Sequence, residues 1–175
     1  MDKIGVPPSK FSGKNKIVSV KFGNKCTYVG KDAFRDCKSL KTITFNDNNA
    51  IEEIYDGAFA GCDKILSIKL PSGLKKIGHL CLSTTSELYI YISDSLSDPP
   101  IFTKDGKESD DSYPFGYINS DDSDDSDYYD NSDDSDIDYI PQIKIFVPSD
   151  DLKNTYIKNT YWEKYKDYIE TYSLN

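Results

Sequence analysis

The sequence predicts a β-solenoid: a right-handed stack of about four to five coils, each giving one short strand to a parallel sheet, with a C-terminal helix capping the far end. Three observations carry that expectation. An apolar pattern recurs at intervals of 25 and 23 residues between positions 17 and 92. Each recurrence ends in a short stretch that alternates apolar with polar side chains. A Tyr-rich segment holding the single tryptophan, Trp162, follows the last such stretch and has helical spacing.

The recurrence is clearest where Val29, Ala33, Phe34, Cys37, Leu40, Ile43 and Phe45 are matched 25 residues later by Ile54, Ala58, Phe59, Cys62, Ile65, Ile68 and Leu70. A degenerate copy follows at a spacing of 23, with Ile77, Cys81 and Leu82 in place of Ile54, Ala58 and Phe59, and Thr85 in place of the Cys. Ile90 and Ile92 lie 22 residues after Ile68 and Leu70, which implies a one-residue deletion. Upstream, Ile17, Val20 and Phe22 precede Leu40, Ile43 and Phe45 by 23 residues, and Cys26 matches Ile51 and Leu74. A period of this length with an L-x-x-I-x-F/L core marks a leucine-rich-repeat solenoid, whose coils cannot bury their apolar sides alone and must stack.

Alternation then assigns a face to each strand residue. Val20 and Phe22, Ile43 and Phe45, Ile68 and Leu70, and Ile90 and Ile92 point inward; Ser19 and Lys21, Thr42 and Thr44, Ser67 and Lys69, and Tyr89 and Tyr91 point outward. Ile143, Ile145 and Val147 alternate with Lys144 and Phe146, predicting a fifth strand that Pro148 ends. Ser149 and Asp150 are N-cap candidates for the helix that follows. Leu152 with Tyr156, and then Trp162, Tyr165 and Ile169, form an apolar stripe suited to shielding the open end of the stack.

The pattern I-x-x-x-A-F-x-x-C-x-x-L-x-x-I-x-F/L, seen from Ile54 to Leu70, resembles the BspA-like, or Treponema-type, leucine-rich-repeat family. The resemblance extends to that family's C-terminal signature, a Pro-Pro step, a strand ending in Val-Pro and a Tyr- and Trp-containing helix. The matching residues here are Pro99 and Pro100, Ile143 to Pro148, and Tyr156 through Trp162 and Tyr165 to Ile169. It covers residues 17–102 and 140–170. The resemblance implies a cell-surface or secreted adhesion protein of the kind found in gut and oral bacteria, and also in eukaryotic parasites, that recognises a host or bacterial protein. The opening residues MDKIGVPP lack the basic-then-apolar pattern of a secretory signal.

Four regions follow: an N-terminal extension or cap (1–16), the solenoid (17–102), an irregular connection with an acidic insert (103–139), and the last strand with its capping helix (140–175). From Asp110 to Asp138 there are twelve Asp and no Lys or Arg, so this segment carries -12 of the total -9 and the rest of the chain sums to +3. Such a segment argues against a nucleic-acid partner, and no apolar run approaches the roughly 20 residues that span a bilayer. Scarce apolar groups and repelling carboxylates make the run SDDSDDSDYYDNSDDSD a solvated loop, with two sharper readings beside it. Asp121, Asp122, Asp124, Asp125 and Asp127 offer hard oxygen ligands for calcium, although the Gly and terminal Glu of an EF-hand loop are missing. Ser135, with an acid three positions on, is a phosphorylation candidate.

Cys37 and Cys62 share one repeat position, and Cys26 and Cys81 replace aliphatic residues at others, so all four read as structural free thiols. No C-x-x-C pair occurs, and the single histidine, His79, is expected as an exposed turn residue without a catalytic partner. No nucleophile-elbow, Walker or dinucleotide motif is present, so no enzyme and no cofactor are predicted. The outward residues become aromatic toward the C-terminal end. Lys69, Tyr89, Tyr91, Lys144 and Phe146 are therefore the candidate protein-binding surface, against the alternative that the acidic insert is the functional element and the solenoid displays it. The first strand has only residues 1–16 to cover it, which predicts a monomer or a weak edge-paired dimer.

Overall fold

The computed structural model describes residues 3–45, 50–93, 95–116 and 142–172. Its strands alternate between two sheets. One holds β1 (Gly5–Val6), β3 (Tyr28–Val29), β5 (Glu53–Ile54), β7 (Lys76–Gly78), β9 (Ile101–Lys104) and β10 (Lys107–Glu108). On the other side lie β2 (Ser19–Lys21) paired with β4 (Thr42–Thr44), and the row β6 (Ser67–Lys69), β8 (Leu88–Tyr91), β11 (Ile143–Val147) and β12 (Ile169–Thr171), with β4 alongside β6. Every pairing is parallel except the β9–β10 hairpin. The result is a solenoid of about six turns.

Register follows the repeat. Val20 lies opposite Ile43, Ile68 opposite Ile90, and Ile90 opposite Ile145, so inward residues stack in one column. Ile68, Ile90 and Ile145 are buried, while Ser67, Lys69 and Lys144 are exposed. The second sheet was not predicted. Its strands are two to four residues long and β3 and β5 each bury a single side chain, Val29 and Ile54, which is too little alternation to read as a strand.

Between the sheets each coil bends through a turn whose backbone amides bond to the next coil. Phe11 donates to the Ala33 carbonyl at 2.8 Å, Phe34 to Ala58 at 2.8 Å, Phe59 to Cys81 at 2.8 Å and Leu82 to Pro114 at 2.9 Å. The rings form a column, with Phe34 stacked 5.1 Å from Phe11 and 5.3 Å from Phe59. This ladder carries the repeat past both expected boundaries. Residues 5–16 form the first half-coil and residues 101–116 the last, where an extension and an irregular connection had been expected. Phe11 and Phe115 each occupy the Phe34 position, but Lys14 stands at the Cys37 position, and the β9–β10 hairpin lengthens the last coil, so spacing alone hid both copies.

The far end is capped as expected, by a shorter helix. In α1 (Asp150–Ile157) the Leu152 amide donates to Ser149 Oγ at 3.2 Å, and Asp150 and Asp151 sit in the first turn. The helix stops before Asn159, whose Oδ1 accepts from the Tyr161 amide at 3.0 Å. Trp162 therefore lies in a turn, Tyr165 in a 3-10 helix (Glu163–Tyr168) and Ile169 in β12, rather than on one helical face. All three are buried nonetheless, since Trp162 Nε1 donates to the Pro100 carbonyl at 2.8 Å and the Tyr165 hydroxyl to that of Gly116 at 3.2 Å.

Candidate functional site

Parallel pairing of β8 with β11 sets Lys144 beside Tyr89 and Phe146 beside Tyr91, and pairing of β6 with β8 sets Lys69 beside Tyr91. The five residues singled out from the sequence are thus brought together in two adjoining rows. Tyr91 and Phe146 stack at 5.1 Å with 19° between planes, and Tyr89 lies 6.2 Å from Phe146. Each of the three rings is half-buried, because each covers its neighbour and leaves one surface to solvent. The Tyr89 hydroxyl donates to Glu87 at 3.1 Å, and that bond raises the phenol above its usual range. Lys69 is exposed, while Lys144 lies 3.6 Å from Glu170.

Two members of this surface were missed. Tyr172 meets Tyr91 edge-on at 5.9 Å and Phe146 at 6.5 Å, and its hydroxyl donates to the Ile92 carbonyl at 3.3 Å. Glu170 lies opposite Phe146 in β12. The only available signal was the alternation from Ile169 to Tyr172, which runs into the end of the apparent helical stripe and was absorbed by it.

The polar groups elsewhere serve the fold. His79 is buried, not exposed: its amide donates to Asp56 Oδ1 at 2.9 Å and its Nδ1 accepts from the Tyr113 amide at 3.0 Å. Asp56 Oδ2 accepts from the Asp105 amide at 2.6 Å, so one buried carboxylate ties β7 to the β9–β10 turn, and burial pushes that carboxyl up. The stretch that brings Tyr113 to His79 had no sequence signature in the repeat, which is why His79 read as a turn residue facing solvent. Cys26, Cys37, Cys62 and Cys81 are free thiols. Among the described residues no group of three or more His, Cys, Asp or Glu could hold a metal ion. Asp121, Asp122, Asp124, Asp125, Asp127 and Ser135 lie outside the described residues.

Charge is also unevenly placed, in a way the total conceals. Residues 1–31 contain seven Lys and one Asp, a net +6. The first coil is therefore a basic region.

Among the described residues no helix is long and apolar enough to cross a membrane. No curated protein matches the sequence. A family model for the BspA type leucine rich repeat region matches residues 5–98 in 6 copies, including the first half-coil recovered from the hydrogen-bond ladder. Stacked repeats of this kind present a broad continuous face on which partners are bound. The chain belongs to the BspA-type leucine-rich-repeat family, a family of protein-interaction repeats.

Proposed function

We propose that the chain is a non-catalytic adhesion module of a bacterial cell-surface or secreted protein, and that it grips a host or bacterial protein through the C-terminal half of its strand face. The observation that supports this reading is the continuous ring surface of Tyr89, Tyr91, Phe146 and Tyr172, flanked by Lys69 and by the Lys144–Glu170 pair. Half-exposed Tyr and Phe with charges at the margin have the composition of an interface centre and its rim. The rings are held rigidly by each other and by the strands beneath them, so little side-chain entropy is lost on binding.

The test is capture of partners from host extracellular-matrix and mucosal extracts by three forms of the chain. These are the intact chain, a chain carrying Tyr91→Ala with Phe146→Ala, and a chain lacking residues 120–137, each with calcium and with chelator. A partner kept by the deletion, indifferent to chelation and lost from the double variant places binding on the rings. A partner lost with the acidic residues or with calcium overturns this reading.

A further inference from the structure

The two ends of the stack differ. The far end is closed by Tyr156, Trp162 and Tyr165, whereas the first coil has no such cover among the described residues. A cavity of about 550 Å³ opens there, lined by Ile4, Val6, Phe11, Val20, Lys21 and Lys25 among others. Among the described residues, two of the three exposed large aliphatic side chains, Ile4 and Val18, lie on the same coil. Both of its strands are sheet edges, since β1 bonds only to β3 and β2 only to β4.

The charge around this opening has one sign. Lys10, Lys14, Lys16, Lys21 and Lys25 are exposed, and none has an ion-pair partner among the described residues. Lys3 and Lys31 are engaged elsewhere, by Glu53 at 2.6 Å and Asp105 at 3.1 Å. An apolar opening ringed by lysine fits an acidic chain segment that also carries apolar side chains. A flat lipid surface would leave the edge-strand amides and carbonyls of β1 and β2 unpaired, whereas a peptide pairs them.

The same chain holds a segment of that chemistry. Residues 118–140 contain ten Asp and no basic residue, together with Ile118, Tyr128, Tyr129, Ile137, Tyr139 and Ile140. In sequence they lie between Phe115 of the last coil and β11, and those two flanking elements are at the opposite end of the stack from β1 and β2. Symmetric pairing of two first coils would set two +6 regions against each other, so repulsion opposes edge-to-edge dimers and favours a head-to-tail contact. We propose that the lysine-ringed first coil of one chain receives the acidic, tyrosine-bearing residues 118–140 of a second copy. This assembly is independent of the ring surface on β8 and β11.

Sedimentation of the intact chain at low and high salt, with anisotropy titration of a labelled 118–140 peptide onto the chain lacking residues 120–137, tests it. The intact chain should associate at low salt and dissociate at high salt, and the deletion should remain monomeric while binding the peptide. Lys21→Glu with Lys25→Glu should weaken both association and peptide binding at least about tenfold, and Lys14→Glu with Lys16→Glu, which ring the opening without lining it, should weaken them less. An intact chain that stays monomeric at low salt overturns the second copy as occupant, even if the peptide binds. Equal association by the deletion, as in edge pairing, overturns the role of the acidic segment. So does equal binding of a peptide whose six apolar residues are replaced by Ser, because charge alone would then explain it. Equal binding of anionic vesicles or duplex DNA, measured in the same titration, overturns selectivity for a peptide.

Discussion

The thiol of Cys62 donates to the backbone carbonyl of Phe34 at 3.1 Å, one coil back, and Cys37 makes the same bond to Phe11 at 3.1 Å. A Cys at this position fills the space between coils and gives a second, weak donor to a carbonyl that already accepts a backbone amide, from Cys37 at Phe34 and from Lys14 at Phe11. Burial pushes the Cys62 thiol up to about 12 and raises Cys37 and Cys81 as well. In the native chain at pH 8, Cys26, the one thiol with partial exposure, should react first with a small disulfide reagent. The other three should follow at the rate of unfolding. Native-state reaction of Cys37 or Cys62 as fast as that of Cys26 would contradict the inter-coil packing.

Asp63 bridges three coils. Its Oδ1 accepts from the Thr85 amide at 3.1 Å and the Thr84 hydroxyl at 3.3 Å, and its Oδ2 meets Lys38 Nζ at 3.1 Å. Burial by itself would raise this carboxyl, but the bonds from Thr85 and Lys38 outweigh it and hold the group below the usual range. A folded-state value below the unfolded one stabilises above the unfolded value, about 3.9, and the effect is lost as pH falls through the folded value. Asp63→Ala should cost about 1–2 kcal/mol at pH 7 by urea denaturation and less below about pH 3. An equal deficit at both pH values would remove the carboxylate's charge from the account.

Trp162 reports the cap directly, being the single tryptophan and fully buried against Phe102 at 5.1 Å, Phe115 at 5.7 Å and Tyr156 at 4.7 Å. Trp162→Ala should cost about 3–5 kcal/mol. In the unaltered chain, tryptophan emission should be blue-shifted and should move to the red in the same denaturant transition that the far-UV signal follows. An earlier emission change would mean that the cap opens on its own and is not part of the cooperative unit.

Gly78 separates close approach from chain flexibility. A Cβ there would lie 2.2 Å from the Asp56 nitrogen and 2.4 Å from the Tyr55 carbonyl carbon, so backbone must move. Gly23 would meet nothing within 4 Å. Gly78→Ala should lower stability by about 3 kcal/mol or more, and Gly23→Ala should raise it by about 0.4–1 kcal/mol through the unfolded chain. Thermal melts of both variants make the comparison, and two similar shifts would mean the β5–β7 contact is looser than drawn.

The strands of the outer face were legible because three consecutive positions suffice to show alternation when the flanking landmarks recur, as Ser67, Ile68 and Lys69 do. Their partners on the second sheet were not, since Glu53–Ile54 offers only two. The first half-coil escaped because Lys14 replaces the Cys that anchors the motif, although Phe11 held its place. Of the ring surface, Tyr89, Tyr91 and Phe146 could be named from period two alone, whereas Tyr172 required knowing that the chain returns to the sheet after a 3-10 turn. His79 was misread for a related reason. Its ring is bonded by the Tyr113 amide, in a stretch that only the last coil has, and a repeat pattern describes what coils share.

The division of labour within each strand has an evolutionary corollary. Ile90 and Ile145 hold one coil on the next, while Tyr91 and Phe146, one position along, contribute to stacking chiefly through each other. Substitutions on the outer row therefore leave the inner column intact, and a coil behaves as an exchangeable tile whose exterior can be rewritten two side chains at a time. Lineages that face changing surfaces can alter what they grip by point mutation, and can lengthen the grip by duplicating about 23–25 residues, without refolding what lies beneath.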